Sequence, residues 1–206
     1  MNIIYSFAIG YLIGSLPTAY IILKYYHNID IRDAGSGNVG TLNSFNVSKS
    51  KWIGLSVLSI DVLKGILSVL LVKIFLGNEF ILIMTALNAA VLAHCFSPWI
   101  NFKGGRGIAT AGGGSLIISI PILILWGVVW LIAFIFPRNI HIANISATLM
   151  TAVFSFTSAI VMNRFSSPHA ANNFEFGFFV GTLMLIILVK HYVPLKDLIL
   201  STYNKN

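Results

Sequence analysis

The residues best suited to chemistry in this chain are cations set among glycines. Between Ile100 and Gly114 the sequence runs INFKGGRGIATAGGG, placing Lys103 and Arg106 among Gly104, Gly105, Gly107, Gly112, Gly113 and Gly114. Successive glycines let backbone N–H groups turn toward one centre, and a helix N-terminus adds its own partial positive charge. Cations, flexible amides and a helix start all favour an anion. A basic anchor beside a loose turn is the plainer reading, but it leaves the glycines unexplained. Gly112 to Gly114 also suit close helix packing.

A second stretch, IDIRDAGSGNVGTLNSFNV, repeats the theme. Gly35, Gly37 and Gly40 alternate with Ser36, Asn38, Thr41 and Asn43, whose hydroxyl and amide groups suit phosphate or polyol oxygens. An ordinary turn-rich loop would use the same residues. Gly35 to Gly40 matches G-x-G-x-x-G, with Asp61 about 20 residues on. The context excludes a dinucleotide fold, because no strand precedes the glycines and Asp61 lies inside an apolar run. No Gly-Lys-Ser/Thr closes either segment, so a Walker A loop is excluded too.

Asp61 and Lys64, in SVLSIDVLKGILSVLL, stand three residues apart and so share one helix face. A charge inside a membrane span costs on the order of 2.5–3.5 kcal/mol on insertion scales, so it faces a cavity or a partner. The pair either ties helices together or contributes to a polar site. His94, in AAVLAHCFSPW, is a structural hydrogen bonder or a base. His27, His141, His169 and His191 show no metal-like spacing with one another or with carboxylates. No metal and no cofactor is expected. There is no G-x-S-x-G elbow, and no His followed five residues on by Asp to deprotonate an alcohol.

The elements that must position these residues follow from composition. Of 206 residues, 57% are hydrophobic and only 9% charged, where a soluble domain carries about a quarter. The expectation is an all-α, polytopic membrane protein, with residues 1–206 forming one integral membrane domain. The net charge of +7 is then a topological signal, not a sign of nucleic acid. The single cysteine, Cys95, can make no intramolecular disulfide. Lys24 is the first charged side chain, so no basic region precedes the first apolar run, which reads as a retained span.

Apolar runs cover approximately 3–23, 53–76, 80–100, 107–136, 142–162 and 174–193. The fourth exceeds the roughly 20 residues a crossing needs, and Pro121 in its middle is a natural place to turn. Charge decides between one span and two. With seven spans and the N-terminus outside, Lys24, Arg32, Lys49, Lys51, Lys103, Arg106, Arg138, Lys190, Lys196 and Lys205 lie inside, and Arg164 outside. Six spans would move Arg138, Lys190, Lys196 and Lys205 outside. The positive-inside rule selects seven, with a cytoplasmic C-terminus and two short spans of about 14 and 16 residues. Both glycine segments then face the cytoplasm.

Four stretches, GSLPTAY (14–20), DIRDAGSGNVGTLN (30–43), DVLKG (61–65) and AVLAHCF with NFKGGRGIAT (90–110), together resemble the acyl-phosphate-dependent glycerol-3-phosphate acyltransferases of bacterial membranes. They occur in that family's order, in the first half of the chain. The resemblance implies a seven-span enzyme of the bacterial plasma membrane, active in phospholipid synthesis, with its site loops cytoplasmic. It would move an acyl group from acyl phosphate to the 1-hydroxyl of glycerol 3-phosphate, giving lysophosphatidic acid and phosphate. By the same resemblance, His94, Ser36 and Lys103 are catalytic candidates, His94 as the base. Gly37, Asn38, Gly40, Asn43, Asp61, Lys64, Gly104, Gly105, Arg106, Gly107, Thr110 and His191 are the candidates for holding substrate. The partners expected are those two substrates and membrane lipids.

The chain departs from the family pattern at Asn46, where an arginine is usual, in NIHIANISATLM, and after His191. Loss of an arginine removes a charge-assisted contact to phosphate, with Arg138 and Lys190 as candidate replacements. Two other readings stay open: a catalytically degenerate member that binds a phosphometabolite or lipid, and a small anion transporter built around Asp61 and Lys64.

Overall fold

A computed structural model describes residues 1–203; Lys205, expected on the cytoplasmic side, lies outside the described residues. The α-helices are α1 (Asn2–Ser15), α2 (Thr18–His27), α3 (Thr41–Ser48), α4 (Lys51–Phe75), α5 (Phe80–Cys95), α6 (Ile108–Ile118), α7 (Ile120–Ile135), α8 (Ile140–Thr157), α9 (Ala159–Arg164), α10 (Asn173–Lys190) and α11 (Tyr192–Tyr203). No strand occurs among the described residues. Helices suit a chain this apolar, since lipid offers backbone groups no partners and helices satisfy them internally.

Five stretches are long and apolar enough to cross a bilayer: Asn2–His27, Lys51–Phe75, Phe80–Ile100, Ile140–Thr157 and Asn173–Lys190. α6 and α7, at 11 and 16 residues, are shorter apolar helices. The long fourth run does divide, but at Ser119, whose backbone is extended, and not at Pro121. Pro121 falls in the first turn of α7, where its missing N–H breaks no helical bond. The first half of the run is accordingly shorter than expected. Its far end is covered by the segment after α9: the Ile118 carbonyl accepts from Ser167 N–H at 2.7 Å. Ala159, Met162 and Ala170 pack into the same core as Ile118 and Ile122.

Small residues set the helix pairings. Gly10 and Gly14 of α1 lie against the backbone of Ala86 and Ala90 on α5, and Gly65 of α4 lies against the Thr110 carbonyl on α6. Gly113 of α6 meets the Val62 carbonyl in return. In lipid the association rests on such close contact, not on escape from water. The first crossing is interrupted at Leu16–Pro17, because proline cannot donate the helical hydrogen bond. That interruption turns the Leu16 carbonyl to a new partner, Lys64.

Candidate active site

One cavity of about 760 Å³ lies where α3, α4, α5, α6, α7 and α8 meet. Its polar wall is Asn38, Gly40, Thr41, Lys51, Asp61, His94, Arg106, Gly107 and Asn144; its apolar wall includes Leu42, Leu55, Leu58, Ile108, Trp126 and Trp130. Two helices begin on it. Gly40 caps α3 and Gly107 caps α6, the latter with a φ of 82° that favours glycine. The first-turn amides of both helices therefore lie at the cavity wall, with Arg106 beside them. Two positive helix ends and a guanidinium on one wall are an arrangement that suits an anion. Burial draws the Arg106 pKa below the usual arginine value, though a guanidinium stays charged at neutral pH. Its Nη1 lies 3.3 Å from His141 Nδ1.

The first glycine segment is organised by Asn43. Its Oδ1 accepts from Ser36 N–H at 2.9 Å, and its Nδ2 donates to the carbonyls of Ala34 and Asn38 at 3.0 Å and of Ile31 at 3.4 Å. At 3% exposure, Asn43 acts through the loop; it is not among the residues lining the cavity. Ser36 is exposed and Gly37, at φ 69°, makes the turn behind Asn38. At the loop's entrance Arg32 pairs with Asp30. Hydrogen bonding to the guanidinium lowers the Asp30 pKa from 3.8 to about 2.

In the second segment the glycines serve close approach. Gly104 and Gly105 donate their amides to the carbonyls of Cys95 and His94 at 3.2 and 3.1 Å. Those two amides are thus not free for an anion, in contrast to the nest expected from the sequence. A Cβ on Gly105 would overlap His94 Nε2 and crowd the Val39 carbonyl, so the bare residue is what lets the histidine reach the cavity wall. Lys103 is exposed and off the lining. Thr110 is fully buried on α6, its Oγ1 without a hydrogen bond.

Behind the cavity wall lies a buried cluster. Lys64 Nζ sits 2.7 Å from Asp61 Oδ1, donates to the Leu16 carbonyl at 2.8 Å, and lies 3.4 Å from His94 Nδ1. The Asp61 contact is an ion pair without hydrogen-bond alignment, and His94 Nδ1 is 3.7 Å from the same carboxylate oxygen. Asp61 and Lys64 are each 3% exposed. The pair expected on one helix face therefore joins three helices and reaches the cavity through Asp61 and His94.

Asn144, Trp126 and Trp130 belong to the site without any signal in the sequence motifs. Trp130 Nε1 donates to Asn144 Oδ1 at 2.7 Å, and Trp126 Nε1 to Thr148 Oγ1 at 3.1 Å, which sets both indoles along the apolar wall. Asn144 Nδ2 lies 3.5 Å from His191 Nε2, and His191 Nδ1 lies 2.8 Å from the Ile187 carbonyl. His191 thus stands behind Asn144 and off the cavity. Arg138 and Lys190 are also off it; Lys51 and Arg106 are the cations on its wall, besides the buried Lys64 behind Asp61.

The sequence and the fold are similar to those of known proteins. A family sequence model for glycerol-3-phosphate acyltransferase matches residues 4–200. The glycerol-3-phosphate acyltransferase of Ehrlichia canis is 33% identical over 207 residues, covering 100% of both chains. Glycerol-3-phosphate acyltransferase 2 of Moorella thermoacetica is 41% identical over 143 residues, 69% of this chain and 72% of that one. The crystal structure of PlsY (YgiH), an integral membrane glycerol 3-phosphate acyltransferase in its glycerol 3-phosphate form, superposes with a TM-score of 0.79 at 27% identity, covering 98% of this chain and 94% of that one. Its lysophosphatidic acid form gives 0.78 at 26% identity, with 98% and 93% covered. Sequence along nearly the whole chain and fold across nearly the whole structure lead to one family: this multi-pass membrane protein belongs to the glycerol-3-phosphate acyltransferases.

Proposed function

We propose that this protein transfers an acyl group from acyl phosphate to the 1-hydroxyl of glycerol 3-phosphate, yielding lysophosphatidic acid and phosphate. The observation that carries the reading is the two-sided cavity: helix N-termini and Arg106 at one wall, Leu55, Leu58 and two tryptophans at the other. A phosphate with an acyl tail fits such a wall pair. Lysophosphatidic acid and glycerol 3-phosphate are the ligands named for the two PlsY structures. Acyl phosphate is already an activated mixed anhydride, so the hydroxyl can attack its carbonyl carbon directly, without a covalent enzyme intermediate. Amides and cations stabilise the charge that develops on the carbonyl oxygen and on the leaving phosphate. Lys51 and Arg106 supply positive charge at the cavity without an arginine at position 46, where Asn46 lies exposed on α3.

The same reading places the chain in a bacterial plasma membrane, with seven crossings and the cavity's polar wall toward the cytoplasm. Its test is an assay of purified protein in lipid with palmitoyl phosphate and glycerol 3-phosphate. Phosphate release is expected only when both are present, with palmitoyl-CoA inert as donor, and to vanish in Gly105→Leu. Binding of either substrate without turnover would instead establish a degenerate member, and lysophosphatidic acid formed from palmitoyl-CoA and glycerol 3-phosphate, with release of CoA, would change the donor.

A further inference from the structure

We propose that an enclosed apolar pocket between α6, α7 and α10 holds the methyl end of the donor's acyl chain, and that Gly112 and Leu123 set the chain length it accepts. The proposal rests on the acyl-transfer reading for its substrate, and on the packing of α6 for the pocket itself.

Gly112, Gly113 and Gly114 are consecutive, yet helix packing explains only two of them. A Cβ on Gly113 would strike the Val62 carbonyl, and one on Gly114 would strike the side chain of Leu87. One on Gly112 would find only Leu123 Cδ2 within 4 Å among the described residues, at an ordinary contact distance of 3.9 Å. Glycine weakens a helix relative to alanine. At Gly112 what it preserves is room, a space of about 160 Å³ on that side of α6.

Ile108 and Trp126 line both this space and the large cavity, so they mark its mouth. The indole of Trp126 is fixed there by its bond to Thr148 Oγ1. From Ile108 the pocket follows α6 to Ser115, about 10 Å further at the rise of an α-helix. α7 forms the facing wall through Leu123, and Met184 of α10 closes the back. The far end is shut. Ile118 and Ile122 are each 2% exposed, and the Ile118 carbonyl accepts from Ser167 N–H.

Ser115 brings the one side-chain hydroxyl to this lining, so the pocket suits hydrocarbon. It continues from the cavity whose other wall suits a phosphate, and one molecule with an anionic head and an apolar tail occupies both. A blind end limits length, because a longer chain must fold back or leave methylenes outside. A tail lying instead along Leu55 and Leu58, on the open side of the cavity, would meet no such end.

The test is selectivity. Full-length protein in lipid is assayed with glycerol 3-phosphate and a series of acyl phosphates from decanoyl to stearoyl. Partition into the bilayer differs among donors but is common to parent and variants, so a shift between proteins reads the pocket. The parent's kcat/KM is expected to peak at one chain length. Gly112→Leu should move the peak to donors shorter by about two methylenes or more, and Leu123→Ala to longer ones, since a close-packed interior exchanges volume for volume. Each methylene displaced in Gly112→Leu should cost about fourfold. Turnover of the shortest donor in the same preparation shows that the variant has folded. A peak unmoved in both variants would overturn the assignment.

A second measurement needs no variant, and decides the matter should either variant lose every donor. Dodecanoyl phosphate with a diazirine at its methyl end is photolysed on the parent without glycerol 3-phosphate. Label is expected on residues 112–123 or on Met184, and label confined to α4 would overturn the pocket. A parent that turns over no acyl phosphate but takes the label in the pocket would sink the acyl-transfer reading, and would leave the pocket standing as a site for an acyl chain.

Discussion

Asn43 commits every polar atom of its side chain to the loop from Ile31 to Asn38, so its replacement by alanine unties several turns at once. Ser36 N–H and three carbonyls lose their partner, at a cost on the order of 2 kcal/mol. Hydrogen exchange at residues 34–40 of Asn43→Ala should accelerate by about tenfold or more, and acyl transfer should fall with it. The ion pair at the loop entrance has its own signature. The Asp30 pKa is lowered in the folded protein, so the pair's stabilisation is complete above the ordinary value of 3.8 and is lost as pH falls toward about 2. A carbon-detected titration should find the Asp30 midpoint near the lower value, and Arg32→Ala should return it to the upper one. Among single residues the sequence was informative where chemistry is local. Arg106, Asp61, His94 and Asn38 all line the cavity. Asn144 was illegible because an asparagine in NIHIANISATLM is read by what Trp130 and His191 do around it, and both come from other elements. Lys103 looked equal to Arg106 in the loop, yet a residue's side of a turn is set by φ and ψ and not by spacing.

Helix pairing depends on whether a glycine faces a backbone or open space. Gly65→Val would drive a side chain into the Thr110 carbonyl, where neither helix can yield without parting. Overpacking of this kind costs roughly 1–3 kcal/mol or more, and the variant should lose its thermal transition or its yield of folded protein. Gly127, where a Cβ would meet nothing within 4 Å, should accept alanine with a change of about 1 kcal/mol or less. Thermal unfolding of the two variants in one detergent compares them directly. The helices themselves were legible in the apolar runs, because hydropathy alone marks where a chain can be buried in lipid. The break at Ser119 was not: Pro121 marked the neighbourhood, but a proline tolerated in a first turn leaves the disruption to the residues before it. The interruption at Leu16–Pro17 passed unremarked for a related reason, since its purpose lies 48 residues away, in the reach of Lys64.

For the molecule as a whole, the orientation proposed from the charge distribution is open to a labelling experiment. With Cys95 replaced by alanine, a single cysteine at Lys49 should react with a membrane-impermeant reagent only from the cytoplasmic side. One at Asn78 should react only from outside. The reverse pattern would invert the proposed topology. The cavity also bears on how the protein would meet the proposed acyl phosphate donor. Leu55 and Leu58, on the candidate span α4, line it and are exposed at 51% and 38%, so part of its wall opens on the face that a span turns to lipid. An amphiphile arriving through that side is counted per lipid and not per litre. Turnover should therefore follow the mole fraction of acyl phosphate in the bilayer: adding inert phospholipid at constant total donor should slow the reaction, although nothing in the aqueous phase has changed.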